Sequence, residues 1–71
     1  MSCAIRNRIR ELRAAHSEMT QQTLADRVGV TRQTVNAIEL GKYSPTLEMA
    51  FRIAAVFGVP LDHVFQFDER A

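Results

Sequence analysis

The chain has 71 residues, a formal net charge of +1, 46% apolar and 24% charged residues, and one cysteine. That is room for one domain, 1–71, and at this size folding hides only about 60% of the surface that the unfolded chain exposes. Cys3 alone excludes an internal disulfide, and His16 and His63 stand 47 positions apart, without zinc-ligand spacing, so no metal or other cofactor is expected.

Residues 1–42 carry seven basic and four acidic groups, a net of +3, whereas residues 43–71 carry two against four, a net of −2. The first part is suited to meet an anion and the last part to repel one. The N-terminus MSCAIRNRIREL has no signal-type apolar region, and no run approaches the roughly 18 apolar residues of a membrane span. A cytoplasmic protein with no membrane partner is expected, with Cys3 a reduced, structurally minor thiol.

In chain order, Ile5, Ile9 and Leu12 recur at helical spacing, and Asn7 offers a cap for a first helix over 7–16. Thr20 caps a second, with Leu24, Ala25 and Val28 on its apolar face and Gly29 as its stop. Thr31 caps a third, with Val35 and Ile38 behind it and Gly41 at its end. The stretch Gly41-Lys42-Tyr43-Ser44-Pro45 is a loop. Thr46 caps a fourth helix to about Phe57, ended by Gly58, and Pro60 precedes a short fifth, Leu61 to about Phe65. The expected fold is all-α with five helices. Phe65 and Phe67 alternate with a polar residue, so Ser2–Ile5 and Val64–Phe67 are read as a minor β-ribbon from the two ends, the alternative being a frayed polar tail from Gln66 to Ala71.

Residues 21–40 read QQTLADRVGVTRQTVNAIEL, two helices of about eight residues separated by a turn at Gly29. The fifth residue, Ala25, is small, as a close and steep helix crossing requires. Leu24, Val28, Val30, Val35 and Ile38 are apolar at positions that seal the corner. Arg32, Gln33 and Asn36 remain for the outward side of the second helix, where no carboxylate stands. Arginine fits guanine O6 and N7, and Gln or Asn fits adenine N6 and N7. A merely solvated face is the plain alternative for these residues.

The stretch from Thr20 to Phe65, with its runs TRQTVNAIE, GKYSP and FGVPLDHVF, resembles the compact helix-turn-helix regulators of the phage repressor and Cro type, the Xre-like family. The resemblance spans roughly residues 7–66. It implies a five-helix repressor-like DNA-binding domain, bacterial or phage-encoded and nucleoid-associated, with no enzymatic activity and no small-molecule ligand. Carried over by position, Arg32, Gln33 and Asn36 read bases, while Gln21, Gln22, Thr31, Thr34, Lys42 and Tyr43 touch phosphates. Arg13 and Glu39 match a partly buried ion pair of similar proteins. Two departures stand out. Leu40 occupies a position where relatives often have Asn, and the loop His16-Ser17-Glu18-Met19 is one residue longer than the usual connection.

Helix four supplies the second anomaly. At 100° per residue its core face holds Leu47, Ala50, Phe51, Ile53, Ala54 and Phe57, leaving Met49 and Val56 apolar on the other side. A homodimer through Met49, Arg52, Val56, Val64, Phe65 and Phe67 would cover them. Two recognition helices about 34 Å apart would then read a palindromic double-stranded DNA operator. The expected function is a sequence-specific transcriptional regulator, most simply a repressor. A second class is an antitoxin-like protein-binding module that also binds its own promoter.

Overall fold

Threonine opens three of the five helices among the described residues in the same way. In the computed structural model, which describes residues 4–68, the order is β1 (Ile5–Asn7), α1 (Ile9–Ala15), α2 (Gln21–Val28), α3 (Arg32–Glu39), α4 (Leu47–Phe57), α5 (Leu61–Val64) and β2 (Phe65–Phe67). Thr20, Thr31 and Thr46 sit in extended backbone just before α2, α3 and α4. Each Oγ1 accepts the N–H three residues on, from Thr23, Thr34 and Met49, at 3.0, 3.2 and 3.1 Å. These bonds satisfy amides that the first turn of a helix leaves without an acceptor.

The turn between α2 and α3 needs a left-handed residue, and Gly29 supplies it at φ +78°. The chain folds back so that the N–H groups of Gly29 and Val30 both reach the Ala25 carbonyl, at 2.9 and 3.0 Å. Leu24 and Ala25 are wholly buried, Val28, Val35 and Ile38 nearly so, and Val30 packs against them. With Ile9, Ile53, Ala54, Phe57 and Val64 they form one core that α4 crosses.

The first helix begins at Ile9, two residues later than expected, because Asn7 is held in β1. Its Oδ1 still accepts the Ile9 N–H at 3.2 Å, and its Nδ2 donates to the Ile38 carbonyl at 2.9 Å. One side chain thus serves the start of α1 and a late carbonyl of α3. The last helix stops at Val64, since Phe65 turns extended to enter β2. The two strands pair antiparallel with Ile5 opposite Phe67, Arg6 opposite Gln66 and Asn7 opposite Phe65. The ribbon is therefore real but set later on its N-terminal arm than the expected Ser2–Ile5, and Gln66 and Phe67 are strand rather than frayed tail. Ser2, Cys3 and the stretch 69–71 lie outside the described residues. No described helix is long and apolar enough to cross a membrane.

The core-facing arc of α4 differs from expectation. Ala50, Ile53, Ala54 and Phe57 are buried, but Leu47 and Phe51 are 69% and 54% exposed. Met49 and Val56, expected outside, are half-buried against the core. The cause is α2, which packs against α4 and shifts the covered arc toward Met49. Val64 is 0% exposed, so it belongs to the core and not to an outer face. Phe65 is half-buried, and only Phe67 and Arg52 of the expected pairing set stand free of the core.

Candidate nucleic-acid interface

The outward side of α3 is polar and carries no carboxylate. Val35 and Ile38 point into the core, which turns Arg32 and Gln33 to solvent, where neither has a hydrogen-bond or ionic partner among the described residues. Asn36 is half-buried one turn further along. Thr34 is half-buried at the helix start, its hydroxyl 3.0 Å from that of Thr31. The one acid of α3, Glu39, faces inward.

Glu39 is held by Arg13 across the domain. Arg13 Nε donates to Oε2 at 2.7 Å and Nη2 to Oε1 at 3.0 Å, a bidentate pair whose side chains are only 15% and 8% exposed. Guanidinium and carboxylate match in this fork geometry, and burial makes each dependent on the other. The third arm of Arg13, Nη1, donates to the Met19 carbonyl at 2.8 Å, while the Met19 N–H returns to the Arg13 carbonyl at 2.9 Å. The longer loop is thereby pinned at Arg13. Within this loop Ser17 and Glu18 are both left-handed at φ 55° and 53°, a conformation that costs non-glycine residues energy. At its start, His16 anchors to the Leu12 carbonyl through Nδ1 (2.9 Å) and meets Phe57 edge-on at 5.1 Å.

Gln21 joins the same network. Its Nε2 donates to Asn36 Oδ1 at 3.0 Å and to Glu39 Oε1 at 3.2 Å. Both amide hydrogens are then used, and the remaining Oε1 is an acceptor, as phosphate oxygens are. In this arrangement both side-chain hydrogens of Gln21 are engaged within the protein, and its main-chain N–H at the start of α2 is the donor left for the phosphate contact expected from sequence. Gln22 is exposed, with its amide on Asp26 Oδ1 at 2.8 Å.

After α3 the chain turns at Leu40 and Gly41. The Gly41 N–H reaches the Ile38 carbonyl (3.0 Å) and the Lys42 N–H the Ala37 carbonyl (2.9 Å), with Gly41 at φ +73°. This six-residue closure is a glycine's task, and it sets Lys42 and Tyr43, both exposed, just beyond the helix. Gly41, Tyr43, Ser44 and Pro45 line one crevice with Ile5, Asn7 and Phe65, so the loop rests against the ribbon. Arg8 pairs with Glu11 and Arg52 with Glu48, whereas Arg27, Arg32 and Lys42 have no carboxylate partner among the described residues. Arg32 and Lys42 stand on α3 and in the loop after it, while Arg27 on α2 follows Asp26 directly.

Sequence reasoning missed one surface. Ile5, Phe51 and Phe67 are exposed and, with Leu61, Asp62, Phe65 and Gln66, line an open groove of about 420 Å³. Leu47 lies one helical turn from Phe51. The signal was present in the apolar excess of α4, but the choice of covered side depends on where α2 lands.

A family model described as helix-turn-helix matches residues 9–64. An uncharacterised HTH-type transcriptional regulator of Methanocaldococcus jannaschii is 45% identical over 65 residues, which are 92% of this chain and 97% of that one. A transcriptional repressor of a cryptic phage in Vibrio cholerae is 36% identical over 55 residues, 78% of this chain and 49% of that protein. The crystal structure of a protein from Bacteroides fragilis, described as a candidate DNA-binding protein, shares the fold with a TM-score of 0.75 at 24% identity, covering 87% of this chain and 98% of its own. The chain belongs to the helix-turn-helix family of Xre and Cro type, whose members are DNA-binding transcriptional regulators and not enzymes. Its motif is the α2–turn–α3 unit described above.

Proposed function

We propose that this regulator recognises a palindromic operator in double-stranded DNA as a homodimer and acts as a repressor in the cytoplasm. The observation that carries the reading is the outward face of α3, where Arg32 and Gln33 are exposed, unpartnered and free of any neighbouring carboxylate on the same helix. Side chains of this kind on the second helix of the motif read base edges in the major groove. Thr31, Thr34, Gln22, Lys42 and Tyr43, together with the first main-chain N–H groups of α2, supply phosphate contacts that fix the docking. The relative named as a transcriptional repressor aligns with 78% of the chain, which favours repression.

The dimer is formed through the face that bears Leu47, Phe51, Ile5 and Phe67. Leu47 and Phe67 are each more than two-thirds exposed, an apolar surface that a lone 71-residue domain leaves in water. A second copy related by a two-fold axis covers it with the same surface and gives the protein the symmetry of a palindrome. Selection of bound sequences from a random duplex pool tests the whole reading. Enrichment of an inverted repeat with half-sites about one helical turn apart is expected. Absence of any enriched sequence at low salt is the result that removes it.

A further inference from the structure

The ribbon stands between two surfaces of the domain. On one side, Ile5, Asn7 and Phe65 line a crevice with Gly41 and Tyr43 of the loop after α3, and the crevice leaves no room for a water molecule. On the other side, Ile5 and Phe65 line the open groove with Phe51 and Phe67. Asn7 adds a polar tie between the ribbon and α3. Its Oδ1 accepts the Ile9 N–H at 3.2 Å, and its Nδ2 donates to the Ile38 carbonyl at 2.9 Å, across 31 positions of sequence. An N–H only donates and a carbonyl only accepts, so a single orientation of the amide serves both. The same Ile38 carbonyl takes the Gly41 N–H at 3.0 Å, within the turn that sets Lys42 and Tyr43. The bond from Asn7 is the one hydrogen bond from the ribbon to α3 among the described residues. Val35 and Ile38 hold α3 in the core, and Asn7 fixes its end against the ribbon.

Resting on the homodimer and the reading of α3 proposed above, we infer that Asn7 is a positioning residue for half-site spacing: it fixes the end of α3, and the loop after it, against the ribbon that carries the dimer face. In a two-fold dimer the distance and the turn between the two α3 helices follow from how each is set on that face. Each base pair added between half-sites moves them about 3.4 Å apart and turns one against the other by about 34°. A small angular slack at the ribbon grows over the distance from the two-fold axis to the DNA groove. Asn7 itself reaches no base, and Arg32, Gln33 and Asn36 stay on α3 without it. Loss of the tie therefore changes which spacings are accepted, not which bases are chosen within a half-site. A bond that served the fold alone would weaken all spacings in equal measure.

The experiment joins the half-sites that the wild type selects by spacers a few base pairs shorter and longer than the preferred one. These duplexes compete for the wild-type chain, Asn7→Ser and Asn7→Asp. A serine hydroxyl still accepts the N–H two residues on, but is too short to reach the Ile38 carbonyl. Aspartate keeps the size and the acceptor of Asn7 and loses its donor, and it decides the matter where the serine chain does not fold. The wild type should favour one spacing over its neighbours by about thirtyfold. Both variants should lower that ratio to about threefold, with the half-site sequence unchanged. A folded variant that keeps the wild-type ratio, or that weakens every spacing in equal measure, overturns the inference alone. A wild type that enriches no inverted repeat, or that sediments as a monomer, overturns the proposed dimer and this inference with it. A second readout needs no variant: in the free wild-type protein, a side-chain NH2 proton of Asn7 should exchange with solvent more slowly than those of the exposed Gln33. Equal exchange also overturns the tie.

Discussion

Helices α3 and α4 each present an outer face, and the two faces obey different rules. On α3 every inward polar group has an internal partner, and what remains outside is polar: Arg32, Gln33 and the free end of Asn36. On α4 the only polar pair, Glu48 with Arg52 at 2.8 Å, lies in solvent, and beside it Leu47 and Phe51 are left uncovered. Exposed polar groups on a helix cost nothing in water, so they reveal a partner only through their chemistry and through the absence of carboxylates. Exposed apolar groups on a small domain are unfavourable in themselves, so they reveal a partner through surface left in water. On the function proposed above, the first face meets a polyanion and the second another copy of the chain.

The largest effect should come from breaking what keeps the α3 face free of acid. Glu39→Ala leaves the Arg13 guanidinium half-enclosed without its carboxylate, a loss of about 3–5 kcal/mol for a buried pair broken on one side. Small domains have little more than this in total. Urea unfolding should show a midpoint near zero denaturant. A shift of less than about 1 kcal/mol would mean that water replaces the pair freely and that α3 is not anchored by it.

Next is the α4 face. Burial of one phenylalanine contributes about 1.5–3 kcal/mol, so Phe51→Asp should raise the dimer dissociation constant by at least about tenfold. Sedimentation velocity over a range of concentrations measures this. The monomer should keep its helical circular dichroism, because Phe51 lies outside the core. Val56→Asp is the contrasting variant. Val56 packs on the core, and its replacement should lower the melting temperature rather than the association constant. If both variants act alike, the division of α4 into a covered and an uncovered apolar arc is wrong.

Much of this contrast is legible in the sequence, and the illegible part has one cause. Helix starts and stops are written in single residues: Thr20, Thr31 and Thr46 cap, and Gly29 and Gly58 close, because caps depend on neighbours a few positions away. The Arg13–Glu39 pair was also within reach, since it rests on a family resemblance that extends upstream of the loop holding Ser17 and Glu18. What failed was the side of α4. Leu47 and Phe51 lie within about 120° of the core centre, as Met49 and Val56 do, and periodicity alone is symmetrical between them. The choice is made by α2 packing along one flank, a long-range contact with no local signature. The side-chain bonds of Gln21 are illegible for a related reason, because their partners, Asn36 and Glu39, stand 15 and 18 positions away.

Within the α3 face, Arg32 should stand apart from its neighbours. It has no internal bond to lose, so Arg32→Ala should leave the melting temperature within about 2 °C. Binding to the selected operator should weaken by about 1–3 kcal/mol, with relaxed choice at one base pair per half-site. Competition titrations against single-base operator variants measure both. A uniform loss across all variants would move Arg32 from base reading to phosphate contact.

The smallest effect tests the boundary between that face and the loop after it. Lys42 is exposed, has no carboxylate partner among the described residues, and is set in place by the left-handed Gly41. A lysine there meets a phosphate as a point charge and carries no base information. Lys42→Ala should therefore weaken every sequence alike and lower the slope of log affinity against log salt by about one per subunit. Specificity ratios should stay within error, whereas Arg32→Ala changes them. Fluorescence anisotropy at four or five salt concentrations, on the operator and on one scrambled duplex, separates the two behaviours. An unchanged slope would mean that Lys42 stays in bulk solvent when α3 is in the groove, and that Gly41 shapes the loop for packing against Asn7 and Phe65 alone.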